Sequence, residues 1–166
     1  SNVKTIGILY SSSEDNSKTQ VEEFTILAEK AGYKVLPYSV PSTNEIASTM
    51  NVMTGKVDAI WIPIDNTIAS AFSTVVSSNQ TVKKPIYPSA TAMVKEGGLG
   101  SVVVDQKELG VATGKMTAKI LKGAKPANTA VEIFNTGKTV INKKVAAQLG
   151  ITIPDDVLKK AGQVIE

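Results

Sequence analysis

The sequence predicts an α/β fold, a doubly wound parallel sheet in a three-layer α/β/α sandwich, on three observations. Short, continuously apolar runs such as Ile6-Gly7-Ile8-Leu9-Tyr10 and Ala59-Ile60-Trp61-Ile62-Pro63-Ile64 suit strands covered on both faces. Between such runs stand stretches with apolar residues at helical spacing, beginning with Val21, Phe24, Leu27, Ala28 and Ala31. The two kinds alternate, as parallel strands joined by crossover helices require. Right-handed crossovers leave few ways to wind such a sheet, and the order 2-1-3-4-5 is expected.

Each element has its own signal. The first strand stops at Ser11-Ser12-Ser13. Ser17-Lys18-Thr19-Gln20 has the form of a capping box opening the first helix, which Gly32 ends. Lys34-Val35-Leu36-Pro37-Tyr38 reads as an edge strand because of its proline. A second capping box, Ser42-Thr43-Asn44-Glu45, opens a helix with Ile46, Met50 and Met53 inward and Gly55 at its end. The strand that contains Trp61 ends at Asp65-Asn66, before a helix carrying Ile68, Phe72, Val75 and Val76. Lys84-Pro85-Ile86-Tyr87-Pro88 and Ser101-Val102-Val103-Val104 give two more strands, with a short helix over residues 91–95 between them. A helix over residues 108–122 follows, with Leu109, Ala112, Met116 and Ile120 on one face. After Lys125-Pro126-Ala127-Asn128 the winding pattern ends. Val131-Glu132-Ile133-Phe134 and Lys138-Thr139-Val140-Ile141 look like short strands around a turn at Asn135-Thr136-Gly137, and residues 143–149 and 154–160 like small helices.

What is missing narrows the chemistry. The 166 residues include no Cys and no His, and all eighteen basic residues are Lys. Thiol nucleophiles, Ser-His triads and zinc sites are therefore excluded, whereas a carboxylate-only site for Mg²⁺ or Ca²⁺ stays open. No residue stands out as catalytic or metal-ligating, and no cofactor is expected. A net charge of +3 spread along the chain, with 5% aromatic residues, does not point to nucleic acid. No stretch approaches the eighteen or so apolar residues of a membrane span. The chain is expected to be soluble, and its opening residues do not have the pattern of a signal peptide.

In open parallel sheets, ligands bind beyond the carboxyl ends of the strands. Those ends carry Ser11, Ser12, Ser13, Asn16 and Ser17 after the first strand, and Asp65 and Asn66 after the third. Ser89 follows the fourth and Asp105 the fifth. A helix beginning near Ser17 would aim its free N–H groups at that rim, which suits a carboxylate. Asp65 and Asp105 suit an ammonium. Together they suggest a zwitterion such as an amino acid. Each residue also has a plainer use: Ser17, Asp65, Asn66 and Asp105 can cap helices, and the serine run can be a simple loop. Trp61 and Phe72 fall at core positions. A phosphoacceptor receiver domain shares the fold, and Asp65 and Ser89 fit two of its places. However, Tyr10-Ser11-Ser12-Ser13 stands where its acidic pair belongs, and Asp105 where its Lys belongs. No glycine-rich phosphate loop follows the first strand.

Val3-Lys4-Thr5-Ile6-Gly7-Ile8-Leu9-Tyr10 with Ser13-Glu14-Asp15-Asn16-Ser17 resembles the opening of the second lobe in ABC-type extracytoplasmic substrate-binding proteins. The likeness is to those with a type I periplasmic-binding fold, of the tryptophan/tyrosine-binding kind. Gly55-Lys56-Val57-Asp58-Ala59-Ile60-Trp61-Ile62-Pro63-Ile64-Asp65-Asn66 is similar to that family's third strand and its turn. Lys84-Pro85-Ile86-Tyr87, Val94-Lys95-Glu96-Gly97-Gly98, Leu109-Gly110 and Leu121-Lys122-Gly123-Ala124-Lys125-Pro126 follow its later pattern. Ser11-Ser12 departs from the Asn-Pro often found there.

The resemblance implies an importer's receptor, lipid-anchored on the extracellular face of the membrane. Such a receptor traps a hydrophobic or aromatic amino acid (tryptophan, tyrosine or phenylalanine) between two lobes for a membrane permease. Carried onto this chain, Ser11, Ser12, Ser13, Asn16 and Ser17 would take the ligand carboxylate and Asp65 the ammonium, with Ser89 and Asp105 lining the cleft. Residues 3–105 would form the main lobe. Residues 106–130 would be a crossover helix belonging to a preceding N-terminal lobe, and residues 131–166 a hinge strand and returning segment. Without that lobe, Leu109, Met116 and Ile120 would be uncovered, to be covered by self-association through residues 107–122 or by a rearranged helix position. The effector domain of a transcription regulator has the same fold and is the alternative.

Overall fold

The computed structural model describes residues 3–134 and 137–166; Asn135 and Thr136 of the expected turn lie outside them. Strand β1 (Thr5–Ser11) sits inside a parallel sheet, between β2 (Lys34–Val40) and β3 (Ala59–Ile62), and β4 (Ile86–Pro88) lies beyond β3. The order is β2-β1-β3-β4, with Ile6 paired to Val35 on one side and to Ala59 on the other. Successive side chains of β1 enter opposite layers. Leu9 meets Met50, Met53, Ile60 and Phe72 under helices α2 (Ile46–Thr54) and α4 (Phe72–Asn79). Ile8 meets Val21, Ala28 and Val35 under α1 (Asp15–Lys30), where Phe24 stacks on Trp61 with ring centroids 4.0 Å apart. Gly7 lets α2 approach closely, since a Cβ there would lie 2.9 Å from the Met53 sulfur.

The first four places of the expected order are present. Strand β5 (Gly100–Val103) runs on beside β4, with the Leu99 N–H donating to the Ile86 carbonyl at 2.7 Å. Its ladder partner, however, is β6 (Lys138–Asn142), antiparallel to it, and β6 pairs in parallel with β7 (Gln163–Ile165). These three form a second sheet, β5-β6-β7. Three-residue β4 ends on Pro88, which has no N–H to give a ladder. The returning chain offers β5 a full antiparallel edge instead.

Several local expectations change. Helix α1 begins at Asp15, so Ser17 lies inside its first turn rather than at a cap. The Ser42–Glu45 box is formed, on a single 3-10 turn (Thr43–Glu45) that leads into α2. The third helix is two pieces, α3 (Asn66–Ser70) and α4, broken at Ala71. Helix α5 (Thr91–Glu96) precedes β5, and α7 (Lys143–Gln148) and α8 (Asp155–Lys160) flank the route to β7. Residues 131–134 form no strand: Val131 is 84% exposed, and among the described residues no neighbouring edge pairs with its backbone. Alternation alone does not make a strand without a partner.

Helix α6 (Gln106–Leu121), sixteen residues long, has no buried residue; among the described α-helices only the six-residue α8 shares this. Leu109 and Val111 are exposed, Met116 and Ile120 are half-buried, and Leu121 is 82% exposed.

Candidate functional site

The loops beyond β1 and β3 are joined by a dense polar network. Asp65 caps α3, its Oδ1 accepting the Ile68 N–H at 2.9 Å. Its Oδ2 accepts the Ser11 N–H at 2.6 Å and the Ser17 hydroxyl at 2.8 Å. Asp65 is 2% exposed, and Ser11 and Ser17 are wholly buried. The carboxylate thus lies beneath the rim, holding the serine loop to the start of α3. Ser17 was legible as a cap, but its hydroxyl is drawn away to Asp65 and to the Ile64 carbonyl at 3.2 Å. Asn16 donates its Nδ2 to the same carbonyl at 2.7 Å, and Gln20 accepts the Ile64 N–H at 3.1 Å.

Glu14 was missed by the sequence reading. It stands at the N-cap position of α1 but does not cap it. Its Oε2 accepts the Asn66 N–H at 3.0 Å and Nδ2 at 3.1 Å, and its Oε1 accepts the Thr67 N–H at 2.7 Å and hydroxyl at 2.8 Å. Burial pushes the Glu14 carboxyl up, but these four donors outweigh it and hold the group below its ordinary range. An acidic residue just before a helix is common, so nothing in the sequence pointed across to Asn66. The exchange has a consequence: the first N–H groups of α1 receive no side-chain cap and face the rim.

Above this brace the exposed groups are Ser12, Ser13, Asn16, Asn66 and Ile64. The Ser13 and Ser11 hydroxyls are 2.7 Å apart, and Ser12 donates to the Val40 carbonyl at 3.3 Å. Ser89, half-buried, donates to the Ile62 carbonyl at 2.7 Å and so sits beside the end of β3. Asp105 belongs to a different cluster. It caps α6 through Lys107 and Glu108 and pairs with Lys138, whose hydrogen bond chiefly holds its carboxyl low. A cavity of about 350 Å³ opens there, lined by Asp105, Lys107, Thr91 and Lys138 among others. The structure therefore brings Ser11, Ser13, Asn16, Ser17 and Asp65 into one network around the end of β3, with Asn66 held beside it by Glu14 and Ser12 tied instead to Val40 of β2. Ser89 is adjacent to that network, and Asp105 lies in its own. Among the described residues, no group of three or more Asp or Glu is arranged to hold a metal ion, and no helix is long and apolar enough to cross a membrane.

A wound parallel sheet, polar loops gathered beyond its strand ends, and a helix that leaves the body unpacked together define one lobe of a periplasmic-binding-type protein. Comparison with known proteins gives the family. The chain belongs to the ABC transporter substrate binding protein family, which it matches over residues 1–165. It is 29% identical over 140 residues to a tyrosine-binding protein of Clostridioides difficile (strain R20291), covering 84% of this chain and 41% of that one. Among solved structures it is similar to an ABC domain from Streptococcus pneumoniae in complex with L-Trp. That likeness has a TM-score of 0.94 and 76% identity, over 99% of this chain and 56% of the other. A conserved domain protein from Vibrio cholerae gives a TM-score of 0.91 at 34% identity, over 98% and 55% of the two chains. The chain spans about half the length of these relatives.

Proposed function

We propose that this chain forms one wall of the ligand cleft in an extracytoplasmic receptor of an ABC importer. The ligand is a hydrophobic or aromatic amino acid: tryptophan, tyrosine or phenylalanine. The observation that carries this is the L-Trp bound to the 76% identical relative, supported by the tyrosine-binding relative. The geometry suits it. The uncapped N-terminus of α1, with the exposed Ser13 hydroxyl and the second amide hydrogen of Asn16, presents donors to a ligand carboxylate. Ser12 donates its N–H and hydroxyl to the Val40 carbonyl and fixes the loop. Asp65 and Glu14 hold that loop from below. Asp65 acts here through the loop, because its carboxylate is enclosed and already accepts three hydrogen bonds. The ammonium then falls to the facing wall of the cleft.

The facing wall is a lobe outside this chain, and α6 packs on it. The exposed face of α6 and the length of the relatives both support that assignment. The receptor is lipid-anchored on the extracellular face of the membrane and hands the released ligand to the permease, a reading that the family supports. A thermal-shift screen of the full-length protein against the twenty amino acids tests the assignment. L-Trp, L-Tyr or L-Phe should raise the melting temperature in a concentration-dependent way. No shift with any amino acid would overturn it.

A further inference from the structure

A cavity of about 570 Å³ lies at the opposite edge of the molecule from the rim. It opens where the chain enters β4 and β5 and where α7 begins, and its size is that of a small-molecule site. Four lysines line it, Lys83, Lys84, Lys95 and Lys144, against one acid, Glu96. Among the described residues none of the four is in an ion pair.

Lysines often stand near helix C-termini simply to offset the helix dipole. That accounts for Lys95, in the last turn of α5. It does not account for Lys144, in the first turn of α7, where a cation is disfavoured. Nor does it account for Lys83, whose φ of +53° makes it the only non-glycine residue at positive φ among those described. Glycine or asparagine would take that conformation more easily. The turn is nevertheless held firmly. Buried Asn79 donates its Nδ2 to the Lys84 carbonyl at 2.7 Å and accepts the Lys84 N–H at 3.0 Å, while the Lys83 N–H reaches the Asn79 carbonyl at 2.8 Å. Gly97 lets α5 close against α4, since a Cβ there would lie 2.7 Å from Val76 Cγ2. Lys144 is thus kept against helix electrostatics and Lys83 against backbone preference, in a walled groove. Strain of that kind marks functional positions.

We propose that this groove binds a multiply charged, phosphate-type oxyanion. Ammonium groups act as point charges that can converge on a tetrahedral anion, whereas planar, bidentate grip of a carboxylate calls for Arg, which the chain lacks. The anion is either a soluble phosphate or a lipid headgroup, and both present the same chemistry.

The test is an NMR titration of the whole chain with pyrophosphate at constant ionic strength. Saturable shifts are expected at Lys83, Lys84, Gly97 and Lys144, with none at Ser12 or Asn16. Lys144→Gln and Lys95→Gln should weaken binding several-fold, and Lys30→Gln, which is not among the groove's lining residues, should not. Lys83→Gly separates the roles: relief of strain should raise the melting temperature while affinity falls. Sedimentation with phosphatidylglycerol vesicles then names the source. Binding lost in Lys144→Gln marks a headgroup, and no vesicle binding beside retained pyrophosphate binding marks a soluble anion. Absence of saturable shifts, equal weakening by Lys30→Gln, or full affinity in Lys83→Gly would each overturn the proposal.

Discussion

Ser17 donates its hydroxyl to the same Asp65 oxygen that accepts the Ser11 amide, at 2.8 and 2.6 Å. One buried atom therefore ties the end of β1 and the first turn of α1 to the head of α3. Replacing Asp65 by Ala leaves these donors and the Ile68 amide without their acceptor and should cost about 2–4 kcal/mol of stability by urea denaturation. Affinity in the full-length protein tells bracing from direct contact. If Asp65 braces the loop, Asp65→Asn weakens L-Trp and indole-3-propionate, which lacks the ammonium, in equal measure. If Asp65 meets the ammonium, only L-Trp is weakened, by about 2–5 kcal/mol for Asp65→Ala.

Glu14 gives the rim a pH dependence. Its folded pKa is depressed below the ordinary 4.5, so the stability it confers is fully present above that value. It is lost as pH falls through the depressed folded value, when the four donors of Asn66 and Thr67 face a protonated acid. Melting temperature should fall more steeply below about pH 4.5 in the native chain than in Glu14→Gln, which is already weakened at pH 7. Parallel curves for the two proteins would show that Glu14 is not the titrating group.

How far these features could be read from the sequence depends on how local their causes are. Strand and helix alternation, the Ser42–Glu45 box and the polar strand ends are local patterns, and they recur in the structure. Ser17 is a capping residue by type, yet Asp65 lies 48 positions away and takes its hydroxyl. Glu14 likewise acts on residues more than 50 positions distant. Residues 131–134 alternate like a strand but have no edge to join, whereas Gln163–Ile165, too short to signal, becomes β7 because β6 offers one. Long-range partners decide these cases, and a single sequence does not display them.

Phe72 is 1% exposed at the centre of the larger core cluster, where β1 and β3 meet α2 and α4. Phe72→Ala should cost about 3–5 kcal/mol, the upper range for a large buried side chain. Leu27 is 67% exposed on α1, so Leu27→Ala should change stability by less than about 0.5 kcal/mol. Comparable losses at the two sites would mean that α1 has another face against the body.

Helix α6 tests the lobe assignment most directly. Sixteen residues without one buried side chain make a helix of marginal stability, because most helices in proteins are held by packing rather than propensity. Its start depends on Asp105, which accepts the Lys107 and Glu108 N–H groups and pairs with Lys138. Asp105→Ala should therefore lower the helical circular-dichroism signal of this chain and speed amide exchange through α6, while β1 amides stay protected. Salt should act in the same direction, since the Lys138 pair is exposed and screened. In the full-length protein the facing lobe should cover Leu109, Met116 and Ile120, so that α6 exchanges slowly and Asp105→Ala loses most of its effect. Fast exchange in α6 of the full-length protein would mean that the helix docks on no second lobe. Slow exchange in this chain at high dilution would mean that α6 needs none.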